Sequence, residues 1–355
     1  MSAHEATLVD VLAAHAFDES ALQAYLQTTL NQTFSNFSIQ QFQGGQSNPT
    51  FKVIADDHQW VLRKKPAGKL LPSAHQINRE YRVMAALANT PVPVPTMICY
   101  CDDQSIIGTE FYVMDYVPGL LIEHPACEGL SASDTQHIYA SMADTLAALH
   151  NVDIASVGLD DYARGGDYYA RQIKRWSEQY RQSCEPPAGG GEGARAMQYL
   201  MAYLPENIPA DTATCLVHGD FRIGNLLFNR DSKDVAAVLD WELSTLGHPL
   251  ADLAYCCIPY HLPQDDTGTK GLVGIDLEKR GIPSEGEFIR RYCNATGRDN
   301  IVQWPFYVAF SMFRLAAILQ GVYARAIQGN ASSANALTVG ARAALLATTA
   351  AKLVS

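Results

Sequence analysis

Asp220, Asn225 and Asp240 are spaced for chemistry on a phosphoryl group. The stretch His218-Gly219-Asp220-Phe221-Arg222-Ile223-Gly224-Asn225 is followed by Val238-Leu239-Asp240-Trp241-Glu242. Phosphoryl transfer from ATP needs one carboxylate that orients the attacking hydroxyl. It also needs an amide and a second carboxylate that hold Mg2+ on the phosphates. Two hydrophobic runs position these groups. Leu226-Leu227-Phe228 and Val235 to Leu239 read as short buried strands joined by the polar turn Asn229 to Asp234. Such a hairpin brings Asn225 and Asp240 together at its open end, with Asp220 on the loop just before it. Glu242 admits two readings, a water-mediated member of the metal shell or a polar residue at a strand end.

The downstream run Gly247-His248-Pro249-Leu250-Ala251-Asp252-Leu253-Ala254 completes a pattern that resembles the aminoglycoside phosphotransferase family. Within it, the chain is most similar to the kinase-like proteins fused to some acyl-CoA dehydrogenases. The likeness runs from about Phe42 to Tyr323. Three separated pieces agree in order and spacing, whereas an isolated His-Gly-Asp would be weak. The resemblance implies an α+β, protein-kinase-like, two-lobed fold. The smaller lobe, 1–117, would be an antiparallel sheet with one key helix, and the larger, 118–355, mainly helical. It further implies Asp220 as catalytic residue, Asn225 and Asp240 as Mg2+ ligands, ATP as donor and a small-molecule hydroxyl as acceptor. The acyl-CoA dehydrogenase likeness points to a hydroxyacyl-CoA or related metabolite. The alternatives are an aminoglycoside antibiotic as acceptor, or a degenerate kinase that binds nucleotide as a regulatory module.

Two positions depart from protein kinases. Gly219 stands where many carry the arginine that receives a phosphorylated activation loop, and Asp-Trp-Glu replaces Asp-Phe-Gly. Regulation through such a loop is therefore not expected. His218 reads as structural, its ring holding the loop backbone. Asp252 reads as an anchoring or helix-capping carboxylate.

The elements upstream follow from periodicity. Leu8 to Leu30 has helical spacing broken near Asp18, which predicts two short helices. Phe37 to Phe42, Phe51 to Ile54 and Trp60 to Arg63 predict strands, with Gly44-Gly45-Gln46-Ser47-Asn48 as the first turn. By the resemblance this turn covers the ATP phosphates, where glycine lets the backbone approach. Gly45, Gln46, Ser47 and Asn48 are its candidate nucleotide contacts. The third strand should carry a cation for the α and β phosphates. Alternation puts Val61 and Arg63 on one face and Trp60, Leu62 and Lys64 on the other. Arg63 fits the resemblance, with Lys64 the competing candidate. A helix from about Ser73, a candidate cap, to Leu87 follows, with its stripe at Ile77, Tyr81, Met84 and Leu87. Its Glu80 matches the glutamate that pairs with the strand cation. Pro91 to Pro95 is a rigid connector. Glu110 to Val117 is a strand that resembles the hinge, with Met114 lining the base pocket and the backbone of Asp115, Tyr116 and Val117 on the adenine edge.

Beyond the hinge the chain turns helical. Ser133 to His150, a region from Asp167 to Tyr203 interrupted at Gly189-Gly190-Gly191, Gly286 to Tyr292 and Pro305 to Ile327 predict helices. Tyr255, Tyr260, His261, Arg314 and Tyr323 are candidate acceptor contacts. With 355 residues, 48% hydrophobic and 18% charged, the chain can bury one large or two moderate cores. A net charge of −11 argues against nucleic acid and anionic membrane as partners. The N-terminus shows no signal pattern. The longest apolar stretch, Val308 to Leu319, is interrupted by Arg314. Eight cysteines without metal spacing fit buried free thiols and a cytoplasmic setting.

Overall fold

The computed structural model describes residues 3–43, 48–66, 76–163, 166–184, 191–264, 269–327 and 342–355. The chain divides into two compact units. One holds Ala3–Ile122 with Asn225–Ser244, the other Glu123–Gly224 with Thr245–Ser355.

The first unit begins with β1 (Ala3–His4), β2 (Leu8–Val9), α1 (Glu19–Leu30) and the strands β3 (Phe37–Phe42), β4 (Thr50–Ala55) and β5 (His58–Lys64). It continues through α2 (Ile77–Leu87), β6 (Met97–Cys101), α3 (Gln104–Ile107), β7 (Phe111–Asp115) and β8 (Leu120–Ile122). Six strands form an antiparallel sheet in the order β2-β3-β4-β5-β7-β6. Alternate residues of the central strands face one way. Phe51, Val53, Trp60, Leu62, Phe111 and Val113 pack on Leu22 and Leu26 of α1. That period of two is the half-buried strand pattern.

The stretch Leu8 to Leu30 contains one α-helix, not two. Leu8 and Val9 pair with Phe42 and Gln41 of β3, and Ala13–His15 form a single 3-10 turn with no buried residue. A short segment that buries no face cannot offset the cost of nucleating a helix. Asp18 caps α1, its carboxylate accepting from Ala21 N at 2.9 Å. The expected cap Ser73 lies outside the described residues. The described α2 starts at Ile77, and its N-cap Gln76 makes no side-chain cap bond.

A second sheet carries the hairpin. β1 pairs with β8, and β8 pairs with strand Leu226–Phe228, which pairs with Val235–Val238. The register Leu226↔Val238 and Phe228↔Val235 is the hairpin expected from the two apolar runs.

The second unit is mainly helical: α4 (Ala132–His150), α5 (Tyr168–Ser183), α6 (Glu192–Glu206), α7 (Pro249–Cys257), α8 (Leu277–Arg280), α9 (Glu285–Thr296), α10 (Trp304–Ile327) and α11 (Ala343–Val354). A two-stranded antiparallel pair, Cys215–Val217 with Thr245–Gly247, sits among them. By length and composition α10 could cross a membrane, yet 67% of its most apolar window is buried here. It packs against α5, α7 and α11. α11, absent from the sequence reading, buries Ala343, Leu346, Ala347 and Ala350.

Candidate phosphotransfer site

In the first unit Arg63 joins two carboxylates. Its Nη2 donates to Asp240 Oδ1 at 2.8 Å, and its Nε lies 3.1 Å from Glu80 Oε2. The Glu80 contact has ion-pair distance without hydrogen-bond geometry. Glu80 is fully buried and accepts from Asn48 Nδ2 and from the Tyr112 hydroxyl, both at 3.1 Å. Tyr112 was not singled out in the sequence. The signal was available, because Tyr112 stands directly across from Arg63 in the ladder. Burial disfavours the charge on Arg63, but Glu80, Tyr112, Asp240 and Glu242 outweigh it and hold the guanidinium above its ordinary range. Glu80 is pushed up to about 7, with burial the largest cause. Asp240 and Glu242 act with burial, and the Arg63 charge opposes them.

Lys64 points the other way. It is buried, its Nζ sits 5.2 Å from the centre of the Phe17 ring, and burial lowers its pKa. Of the two neighbours, the structure brings Arg63 to Glu80 and Asp240 and leaves Lys64 on the opposite face. Gly45, Gln46 and Ser47 lie outside the described residues. Asn48, at the end of that turn, is committed to Glu80.

The hairpin sets Asp240. Leu239 N donates to Asn225 O at 2.9 Å, which closes the open end between Asn225 and Asp240. Asp240 adopts the left-handed backbone conformation, φ 66° and ψ 59°, tolerated by Asp because its short polar side chain adapts locally. The next residue pins it: Trp241 is fully buried, its Nε1 donates to Val238 O at 2.9 Å, and its carbonyl accepts from Ser244 Oγ at 2.6 Å. The Asp240 side chain remains 34% exposed. Glu242 occupies the short 3-10 turn Trp241–Leu243, close enough for its charge to act on Arg63 and Glu80.

These residues suit a magnesium–nucleotide pair. Glu80, Asp240 and Glu242 place negative charge around Arg63, and a hard cation takes oxygen ligands. Mg2+ is commonly held by one or two carboxylates plus substrate phosphates, not by an all-protein cage. Among the described residues, no group of three or more His, Cys, Asp or Glu forms such a cage.

At the hinge, Met114 is buried and pairs with Val61 and Met97. Asp115 N donates to Thr96 O at 2.8 Å and Tyr116 N to Gln59 O at 3.0 Å. Two of the three expected hinge amides are thus committed to the protein's own backbone.

In the second unit Asp252 holds the loop of Asp220. Its carboxylate accepts from His218 N at 2.6 Å and Gly219 N at 2.8 Å. His150 Nε2 lies 3.5 Å from the same group, and its Nδ1 is 2.7 Å from the Tyr292 hydroxyl. Burial would raise Asp252, but the His150 contact and the loop N–H bonds win and hold the carboxyl below its usual range. Asp252 is an anchor, not a cap. The N-cap of α7 is His248, whose Nδ1 accepts from Leu250 N at 3.2 Å. His218 Nδ1 accepts from Asp220 N at 3.2 Å, so its ring does hold the loop. Gly219 has φ +83°, a conformation an L side chain rarely adopts. The Asp220 carboxylate has Arg222 Nε at 3.4 Å and lies close enough to the Tyr255 phenol for its charge to act there. Burial and the Asp220 charge push that phenol far above its ordinary range.

Residues 38–297 match the model of the phosphotransferase enzyme family, APH. The chain belongs to this phosphotransferase family. Acyl-CoA dehydrogenase family member 10 of Mus musculus is 47% identical over 322 residues, 90% of this chain and 30% of that protein. The chain spans less than half the length of the curated relatives it matches. A crystal structure from Ralstonia eutropha, described as a candidate aminoglycoside phosphotransferase, is 41% identical with a TM-score of 0.85, over 95% of this chain and 98% of that one. Aminoglycoside phosphotransferase APH(4)-Ia, solved with AMP-PNP and hygromycin B, shares the fold at 14% identity and a TM-score of 0.60, over 95% of this chain and 99% of that one. The fold is the protein-kinase-like α+β fold of these phosphotransferases.

Proposed function

We propose that the chain transfers the γ-phosphoryl group of ATP to a hydroxyl of a small molecule, with Mg2+. The observation that carries this reading is the convergence of Arg63, Glu80 and Asp240 at 3.1 and 2.8 Å in a member of the family. Arg63 holds the α and β phosphates, and Glu80 with Tyr112 and Asn48 fixes the guanidinium. Asn225 and Asp240 are the metal ligands. When bound, Mg2+ would neutralise charge on the phosphate oxygens. The Val117 amide meets the adenine edge. Asp220 stands five residues before Asn225. It accepts the hydrogen bond of the acceptor hydroxyl and aims its lone pair. An ordinary aspartate is a weak base, with a pKa of about 4, so Asp220 serves orientation first and deprotonation second.

The sequence match to acyl-CoA dehydrogenase family members supports a hydroxyacyl-CoA or a related metabolite as acceptor. The test is an ATP-consumption screen over hydroxyacyl-CoAs, amino alcohols, sugars and aminoglycosides. Turnover with a hydroxyacyl-CoA is expected. Turnover with aminoglycosides alone would replace the metabolite by an antibiotic. Binding of Mg·ATP with no turnover on any hydroxyl would leave a nucleotide-binding regulatory protein.

A further inference from the structure

Arg314 lies in the middle of α10 and is buried, with 6% of its surface exposed. Its Nε has no hydrogen-bond partner, and among the described residues no carboxylate pairs with it. What surrounds the guanidinium is aromatic. Its Cζ is 5.7 Å from the Trp176 ring centre and 5.8 Å from that of Tyr255. The Tyr168 phenol is also close enough to feel its charge. Trp176 and Tyr168 are buried and belong to α5. Ring faces satisfy a planar guanidinium above and below, leaving its edge donors for bonds in the plane. Burying a charge without a counter-charge is costly. Arrival of an anion relieves that cost. The planar fork also matches the two oxygens of a carboxylate or a phosphoryl group.

Tyr255 links this arginine to the proposed chemistry. The phenol that packs beside Arg314 is also near enough to Asp220 to feel its charge. A second guanidinium, Arg222, has its Nε 3.4 Å from the Asp220 carboxylate. An acceptor whose hydroxyl is aimed by Asp220 therefore meets two arginines. A polycationic acceptor would be repelled there, and an anionic one attracted.

We propose that Arg314, flanked by Trp176 and Tyr255, is the subsite for an anionic group of the acceptor. The substrate class is then a hydroxy compound bearing a carboxylate or phosphoryl group, with the hydroxyl at Asp220 and the anion at Arg314. This rests on Asp220 being the residue that receives the acceptor hydroxyl. Arg314 here is a specificity-determining residue.

Equilibrium binding tests it without requiring turnover. The wild-type chain, with and without Mg·ATP, is titrated with 3-hydroxybutyrate, its amide, 4-aminobutan-2-ol and inorganic phosphate. The acid should bind at least about tenfold more tightly than the amide, the range for bonds to a charged partner, and the amine more weakly still. Arg314→Gln should erase the acid–amide difference, and Arg314→Lys should retain part of it. Retained stabilisation by Mg·ATP marks the variants as folded, and the wild-type comparison needs no variant. Phosphate binding that exceeds the acid and vanishes in Arg314→Gln would assign the anion as phosphoryl. Equal affinity for acid and amide, preference for the amine, or an unchanged difference in a folded Arg314→Gln would overturn the subsite. Failure of Mg·ATP to bind wild type would instead strike at the phosphotransfer reading.

Discussion

Replacing Asp252 by asparagine tests how the Asp220 loop is held. Asp252 gives two charge-assisted acceptors, at 2.6 Å to His218 N and 2.8 Å to Gly219 N. The asparagine side chain would keep one acceptor and turn an amide donor toward the other N–H. The loss is one hydrogen bond to a charged group, about 1.5–3 kcal/mol, plus a donor left facing a donor. Taking the upper end of that range, we expect about 3 kcal/mol of destabilisation. Entropy of unfolding is about 2.1 cal/mol/K per residue, so over 355 residues this corresponds to a Tm drop of about 4 °C. The assays are urea unfolding at pH 7 and calorimetry. Acid adds a second signature. The carboxyl sits below its usual range in the folded chain, so its contribution is present above the unfolded value, about 3.9. It disappears as pH falls through the folded value. Wild type should lose this increment below about pH 4, and Asp252→Asn should show no such loss. A variant within about 0.5 kcal/mol of wild type at pH 7, with the same acid profile, would refute the anchoring role.

Three further outcomes are expected. Arg63→Ala should weaken ATP use strongly, while Lys64→Ala, which removes a side chain packed on Phe17, should lower stability and leave nucleotide affinity in place; steady-state kinetics beside thermal unfolding separates the two. Asp240→Ala should abolish most of the Mg2+-dependent part of ATP stabilisation, and an unchanged shift would place the metal elsewhere. Asp220→Asn should cut phosphoryl transfer by at least ~100-fold with Mg·ATP affinity nearly intact, measured on an acceptor or on slow ATP hydrolysis.

Much of this was legible where burial imposes a period. Trp60, Leu62 and Lys64 alternate against Val61 and Arg63 because only one face of β5 packs on α1, and the structure keeps that alternation. The hairpin at 226–238 was legible because two short apolar runs flank a polar turn. Leu8 and Val9 were misread because the helical spacing was local, while their partner strand lies some thirty residues away. α11 was missed because three of the four residues on its buried face, Ala343, Ala347 and Ala350, are alanines, which stand out little from the small residues around them. Around the site, Asp252 was legible as an anchor or a cap; it is the anchor, and the capping role belongs to His248. The approach of Tyr255 to Asp220 brings a distant helix to the loop, and no spacing rule announces it. Arg314 was legible from sequence only as one of five candidate acceptor contacts; its aromatic flanks come from α5 and α7.

The hairpin with Asn225 and Asp240 belongs to the same unit as β1 and β8, although Gly224 and Thr245 at its borders belong to the other. This arrangement bears on synthesis. The first unit cannot finish folding when residue 122 leaves the ribosome, because two strands of its second sheet are still unmade. At ~5–20 residues per second, the hundred or so residues to Asn225 impose a wait of ~5–20 s. During it β8 presents an unpaired edge, and Arg63 has Glu80 but no second carboxylate. A fragment ending at Ile122 would stay in that condition indefinitely. The first unit should therefore be expressed as a chain that reaches at least Ser244, with exposed strand edge as the hazard of anything shorter.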